Sequence, residues 1–329
     1  MKIKVILLFF LLFVAMALSL HAGSVTIEWT ELWRFLTFRG TGDSYIILSQ
    51  LRLPRILSAA LIGSSLGAVG LVFQTLLRNP LAEPYTLGLS GGSALGAVLA
   101  LNLGLTPAIF FIPLLSSLGC LGATGLVLIL AHKQLEFESR SLILFGVMIS
   151  LFFGALVVTG LSILSPDRLQ SALFWLLGEF GTTRDQWIIN LGPILILGLV
   201  LLILKHRALD ALSLGEARAM SLGFSPRRER TQIILICTIL TAVGVSITGL
   251  IGFIGLVSPH LSRRLLKTSS HHSQLMGSSL VGAILLIFAD AIGRIVAGNI
   301  EIPAGSVAAL FGAPVLIFLL MSRHHAHAE

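Results

Sequence analysis

The chain has 329 residues, 55% of them hydrophobic and only 11% charged, with a mean hydropathy of +0.96. Soluble domains carry about 25% charged residues, so water is not its main solvent. The formal charge of +7 is scattered between apolar runs whose polar flanks hold few aromatics, which argues against nucleic acid as a partner.

Met1-Lys2-Ile3-Lys4 precedes an apolar run from Val5 to Leu20. A secretory leader has this shape, with Ala22 near a cleavage point, but Leu20 is too large for the small residue wanted two places earlier. The preferred reading is an uncleaved first span; either reading puts residues 21 to 50 outside the cytoplasm. Further apolar runs lie at 54–77, 88–105, 109–131, 141–164, 187–204, 231–249, 252–266, 274–297 and 304–321. Crossing a bilayer core takes about 20 residues, so an all-α polytopic fold of about ten spans is expected. Nothing between the runs is polar enough to form a soluble domain, and 1–329 is taken as one membrane domain. Cys120 and Cys237 sit inside these runs, which argues against a disulfide framework or a thiolate metal site.

With the N-terminus inside, the inner segments hold 15 of the 22 Lys and Arg. That is the asymmetry of the positive-inside rule, so both termini are expected in the cytoplasm. The seven on the outer side are all arginines: Arg34, Arg39, Arg52, Arg55, Arg168, Arg184 and Arg294. Two readings stand: a cationic surface awaiting an acidic partner, or headgroup anchoring and local ion pairs.

The longest inner segment, 205–230, contains short amphipathic helical turns broken by Gly215 and ended by Gly223 and Pro226. Its apolar Leu214, Ala217, Met220 and Leu222 suit either a groove on another protein or the membrane surface. Two other segments interrupt apolar runs. Arg78-Asn79-Pro80-Leu81-Ala82-Glu83-Pro84 leads into the small residues Gly88, Ser90, Gly91, Gly92 and Ser93, and the glycines of Gly249-Leu250-Ile251-Gly252-Phe253-Ile254-Gly255 precede Pro259. Broken helices of this kind occur in transporters where helices move or line a cavity. The interruptions occupy corresponding places in two halves, 54–164 and 231–321. An odd number of spans separates equivalent helices, so the halves are expected to be inverted.

No Gly-x-x-x-x-Gly-Lys-Ser/Thr loop occurs, so ATP is not bound here by that route, and neither His-Glu-x-x-His nor Gly-x-Ser-x-Gly is present. Asp290 is the acidic residue placed within a span; Arg294, four positions on, shares its helix face and can neutralise it. A proton relay is the alternative, but secondary transporters usually carry several acids at depth. His324, His325 and His327 in the tail and the pair His271-His272 are read as inert rather than metal-binding. Glu179 and Glu301 are read as solvated or paired with arginines.

At these motifs the chain resembles the FecCD permease family of binding-protein-dependent ABC importers. The resemblance rests on Arg52-Leu53-Pro54-Arg55, Gln74 with Arg78 to Pro84, Leu87-Gly88, Trp175 to Gly178, Leu214-Gly215 to Leu222-Gly223, Ile251 to His260, Ala289-Asp290 with Arg294, and Glu301-Ile302-Pro303. It covers nearly the whole chain. It implies a type II importer permease: a homodimer of ten-helix subunits in the inner membrane, with two ATPase subunits beneath and one periplasmic or lipid-anchored binding protein above. ATP and magnesium would belong to the ATPase; the permease would hold no cofactor and catalyse no reaction. Leu214, Gly215, Glu216, Ala217, Met220, Leu222 and Gly223 match the coupling element. Arg52, Arg55 and Arg294 match arginines that meet acidic residues of the binding protein. Asn79, Leu81, Ser139 and Ser141 fall where the family narrows the path on the cytoplasmic side. The implied cargo is a metal chelate, iron(III)-siderophore first, then haem, cobalamin or molybdate. A proton-coupled secondary transporter is the rival of another class.

Overall fold

A computed structural model describes residues 2–23, 25–133, 139–180, 187–296 and 302–325. Every expected span is a helix, and none of the described residues lies in a strand. The ends are named inner and outer after the orientation that the charge distribution implies. From the inner side α1 (Lys2–His21) runs outward to two outer pieces, α2 (Trp29–Leu36) and α3 (Asp43–Ile46). A π-helical turn (Ile47–Arg52) leads without a break into α4 (Leu53–Leu76). Then come α5 (Leu89–Asn102), α6 (Ala108–His132), α7 (Ser139–Ser162), the outer α8 (Pro166–Leu177) and α9 (Trp187–Leu204). On the inner side follow α10 (His206–Ser213) and α11 (Glu216–Ser221). The chain then completes α12 (Pro226–Thr248), α13 (Ile254–Leu266), α14 (His271–Val296) and α15 (Ala304–His325).

The burial pattern is that of a protein dissolved in lipid. Large apolar side chains such as Leu151, Ile189 and Leu310 stand outward, while small polar ones such as Ser65, Thr124 and Thr238 are enclosed between helices. In lipid, apolar contact alone does not drive helices together, so close backbone approach and interhelical polar contacts decide the packing. The helix α4 is the central mast. A Cβ on its Gly63 would overlap the Gly282 carbonyl of α14, and one on Gly282 would overlap the Gly63 carbonyl. That mutual fit brings the two backbones into contact and makes α4 and α14 the most extensively packed pair.

The two halves are inverted, and the inversion shows in the packing. In the first half α5 packs on α6 and α7; in the second α13 packs on α14 and α15. Likewise α4 packs on α14 across the halves, as α12 does on α6. Each half has one short helix. The 14 residues of α5 and 13 of α13 rise only about 20 Å, less than the roughly 30 Å hydrocarbon core. Each is preceded by a non-helical stretch, 77–88 after the inner end of α4 and 249–253 after the outer end of α12. Gly88 enters α5 at φ +84°, a conformation that glycine reaches without steric cost. Phe253 enters α13 at φ +67°, which is uncommon for a bulky residue.

Candidate coupling face and outer arginine cluster

The segment 205–230 folds as two short helices laid against the inner ends of the spans. The helix α10 buries Ala208, Leu209, Ala211 and Leu212, and α11 buries Ala219. Between them Gly215 takes φ +108°, and after α11 Gly223 takes φ +83°, so the turns stand where the glycines were read. Opposite the buried row, Leu214, Met220 and Leu222 are 55%, 60% and 59% exposed, with Ala217 exposed beside them. An apolar row of this kind on a polar inner face is a surface for a partner's groove or for lipid.

Three polar contacts fasten the segment to the membrane helices, and sequence reading found none of them. Lys205 donates through Nζ to Glu229 Oε2 and to Gln232 Oε1, both at 2.7 Å. The Nη2 of Arg230, buried at the foot of α12, lies 2.9 Å from Glu216 Oε1 at the start of α11. Asp210 of α10 accepts from the backbone N–H of His271 at 3.1 Å and lies 2.6 Å from its Nδ1. The opposite ring nitrogen of His271 is 3.3 Å from Thr75 Oγ1 on α4. Both histidines of this pair make structural contacts: His271 ties α10 to α14, and the His272 ring packs on His206 at 5.2 Å. No group of three or more metal-ligating side chains occurs among the described residues. The tail's histidine side chains lie outside the described residues.

At the outer end, two of the seven arginines, Arg55 and Arg294, meet one acid, and a third, Arg52, shares with Arg294 the carbonyls at the end of α1. Arg55 Nε donates to Asp290 Oδ1 at 2.8 Å, and Arg294 Nε donates to Oδ2 at 3.1 Å, with Asp290 only 1% exposed. Arg294 also donates to the Ser19 hydroxyl at 2.6 Å and to the carbonyls of Ser19 and Ala22, both at 3.2 Å. Arg52 donates to the carbonyls of Leu20 at 2.6 Å and His21 at 3.1 Å, and to that of Val25. The Arg55 guanidinium stands 6.0 Å from the Phe180 ring centre. The last carbonyls of α1 have no partner within their own helix and carry the negative end of its dipole, so guanidinium groups suit them.

In this structure Arg52, Arg55 and Arg294 are engaged in local contacts, the second of the two readings of the outer arginines. All three are buried: the carbonyls of Ser19 to Ala22 and of Val25 accept from Arg52 and Arg294, while Asp290 pairs with Arg55 and Arg294. The pairing of Asp290 with Arg294 is as read from their spacing. The contact from Arg55, on another helix, has no sequence signal beyond the scarcity of acids in the spans. Arg34, Arg39 and Arg168 are exposed, and Arg168 donates to the Leu101 carbonyl at 3.0 Å. Arg184 and Glu301 lie outside the described residues, while Glu179 is joined through its backbone N–H to the Thr248 carbonyl at 2.9 Å.

The two non-helical stretches meet in the centre of the molecule. The Tyr85 hydroxyl accepts the Ile251 N–H at 3.0 Å, and a Cβ on Gly255 would overlap the Pro84 ring. His260 Nε2 lies 2.9 Å from the Pro80 carbonyl, and Gln74 donates to the Leu256 carbonyl at 3.2 Å. Each half's break is thus braced by the other's. On the inner side Asn79 Oδ1 accepts the Leu81 N–H at 2.9 Å, forming an Asx turn that leaves the Leu81 side chain exposed. Ser139 donates to the Leu76 carbonyl at 2.7 Å, which brings the start of α7 beside this turn; Ser141 is half-buried one position beyond Arg140.

Residues 11–322 match the model of the FecCD transport family. The chain is 35% identical over 324 residues to the Fe(3+) dicitrate transport system permease protein FecD of Escherichia coli (strain K12), covering 98% of this chain and 99% of that one. It is 37% identical over 304 residues to the vitamin B12 import system permease protein BtuC of Vibrio cholerae, covering 89% and 88%. Its fold superposes on a structure described as a metal-chelate type ABC transporter in an inward-facing conformation, with a TM-score of 0.84, 31% identity and coverage of 97% and 99%.

Proposed function

The chain belongs to the FecCD transport family, the permease subunits of ABC importers for iron-chelate and cobalamin-type cargo, and on that premise we propose that its own cargo is an iron(III)-siderophore. Haem, cobalamin and molybdate are the next candidates. The proposed assembly is a homodimer in the inner membrane, with both termini in the cytoplasm. Two ATPase subunits sit on the inner face, and a periplasmic or lipid-anchored binding protein docks on the outer.

The single observation that carries the mechanism is the exposed row of Leu214, Ala217, Met220 and Leu222 on a segment pinned to the spans through Lys205, Asp210 and Glu216. In this reading the row enters a groove on the ATPase. Closure of the nucleotide-bound ATPase pair moves the segment as a rigid body, and its pins pass that motion to α12, α14 and α4. The transporter alternates between outward- and inward-open states because ATP and its hydrolysis products favour different ones. ATP and magnesium stay on the ATPase; the permease supplies the path and the lever. Asn79, Leu81, Ser139 and Ser141 are proposed to narrow the inner end of that path.

In this reading docking frees Arg52 and Arg294 from the carbonyls of Ser19 to Ala22 and of Val25, and Arg55 from Asp290, so that their guanidinium groups meet acidic side chains of the binding protein. Glutamate at both 52 and 55 should weaken retention of the cognate binding protein in a pull-down while ATPase assembly persists. Undiminished retention would overturn the docking assignment. The function as a whole is tested in proteoliposomes holding the permease, its ATPase and the binding protein: ATP-driven uptake of a radiolabelled ferric siderophore is expected, and uptake without the ATPase would refute it.

A further inference from the structure

The short outer helix α2, WTELWRFL, is apolar on two adjoining sides. Leu32, 4% exposed, and the partly buried Phe35 turn toward the protein. Trp29, Trp33 and Leu36, spaced four and three apart, share one helix face; all three are exposed, Trp33 by 68%, and Phe38 just beyond is 94% exposed. Thr30, Glu31 and Arg34 occupy the remaining side, with Thr30 and Arg34 exposed and Glu31 half-buried.

This helix is held in a fixed attitude. The Trp29 ring stacks on His21 with centroids 4.4 Å apart and planes within 13°, and His21 Nδ1 lies 2.6 Å from the Ile27 carbonyl. Ile27 and Leu32 belong to the main core. The aromatic face is therefore held outward by the fold.

We infer that α2 is an interfacial helix whose Trp29, Trp33, Leu36 and Phe38 side chains are buried in the outer-side lipid leaflet, with Arg34 and Arg39 at the level of the phosphates. Three observations select lipid as the occupant. First, α2 begins eight residues after α1 ends at His21, so it stays near the membrane boundary. Second, α1 itself presents Phe10, Phe13 and Leu18 outward, and Trp29 of α2 stacks on His21 at the end of that span. Third, tryptophan and arginine side chains each pair an apolar body with a polar tip, which suits the headgroup layer, and an apolar face opposed by a polar one is the pattern of helices lying in that layer.

The consequence is mechanical. The last turn of α1, with Ala22 and Val25 beyond it, supplies the carbonyls holding Arg52 and Arg294, so a lipid-anchored α2 keeps those carbonyls seated at the membrane surface.

The test uses site-directed spin labels on the full chain in vesicles of phosphatidylethanolamine and phosphatidylglycerol. Cys120 and Cys237 are buried, so the unaltered chain should take no label and serves as the control. Nitroxides are placed in the variants Trp33→Cys, Leu36→Cys and Arg34→Cys, all at exposed positions that leave the core intact. At 33 and 36 oxygen, which concentrates in lipid, should relax the label severalfold more than a water-soluble nickel chelate does; at 34 the preference should reverse. Equal nickel access at all three positions would place α2 in water and overturn the inference. Labels at 33 and 36 that are immobile and shielded from both relaxants would overturn it too, in favour of a covering protein, whether a second copy or a docked partner.

Discussion

Arg55 and Asp290 lie 235 positions apart and meet at 2.8 Å, with both side chains buried. The contact joins α4 to α14 near their outer ends, and Arg294 completes it from the other carboxylate oxygen at 3.1 Å. One acid thus holds two guanidinium groups, and all three side chains are at most 9% exposed.

Replacing Asp290 with Asn should therefore cost the protein more than most single changes. Removing one member of a buried ion pair leaves its partner uncompensated and typically destabilises by about 3–5 kcal/mol. A large drop in Tm is expected in a thermal melt of the purified chain in detergent. A melt within a degree of the unaltered chain would mean that the arginines find other partners.

Glu216→Gln should separate stability from coupling. The Glu216 side chain is half exposed, so losing its pairing with Arg230 should change stability by less than about 1 kcal/mol. Uptake per ATP hydrolysed should fall, because α11 is then less firmly tied to α12. Exchanging the charges, Glu216→Arg with Arg230→Glu, should restore part of that ratio. An unchanged ratio in the single variant would remove this contact from the lever.

At Gly215 the expected change is local. Its φ of +108° is a region that side chains rarely enter, and holding alanine there should cost about 1–3 kcal/mol. Faster amide hydrogen exchange confined to α11 is the signature expected of Gly215→Ala. Gly215→Pro should uncouple ATP hydrolysis from uptake, since proline fixes φ near −65°. Normal uptake by the proline variant would contradict the coupling role.

Tyr85→Phe tests the junction of the two breaks. It removes the acceptor of the Ile251 N–H and leaves a buried donor unmade, at about 1–3 kcal/mol. A lower Tm is expected with the helix content unchanged by circular dichroism. Stability equal to that of the unaltered chain would show that the junction does not depend on this bond.

Much of the architecture was legible because its signals are local. Runs of apolar residues long enough to cross lipid, interrupted at 78–88 and 249–253, marked the spans and both short helices. Gly215, Gly223 and Pro226 marked the turns of the inner segment, because positive φ and a missing N–H restrict what can stand there. The helix α2 was not anticipated: eight residues between outer loops carry too short a pattern to stand apart from the apolar surroundings. The enclosure of Arg52, Arg55 and Arg294 was equally hidden, since in the sequence a buried guanidinium and a solvated one look the same.

The sequence alone determined that this chain lives in lipid, where its apolar spans lie and where its helices break, and its charge asymmetry set the orientation expected of it. These follow from hydropathy, charge asymmetry and backbone chemistry, each set within a few residues. Only the tertiary structure decided that Arg52 and Arg294 lie under α1's terminal carbonyls, that Arg55 shares Asp290 with Arg294, that Glu216 meets Arg230, and that Tyr85 braces Ile251. Most of these contacts join residues far apart in the chain, and even the short link from Glu216 to Arg230 spans a turn between two helices. They form only when glycine-lined helices approach closely enough to bring each donor to its acceptor.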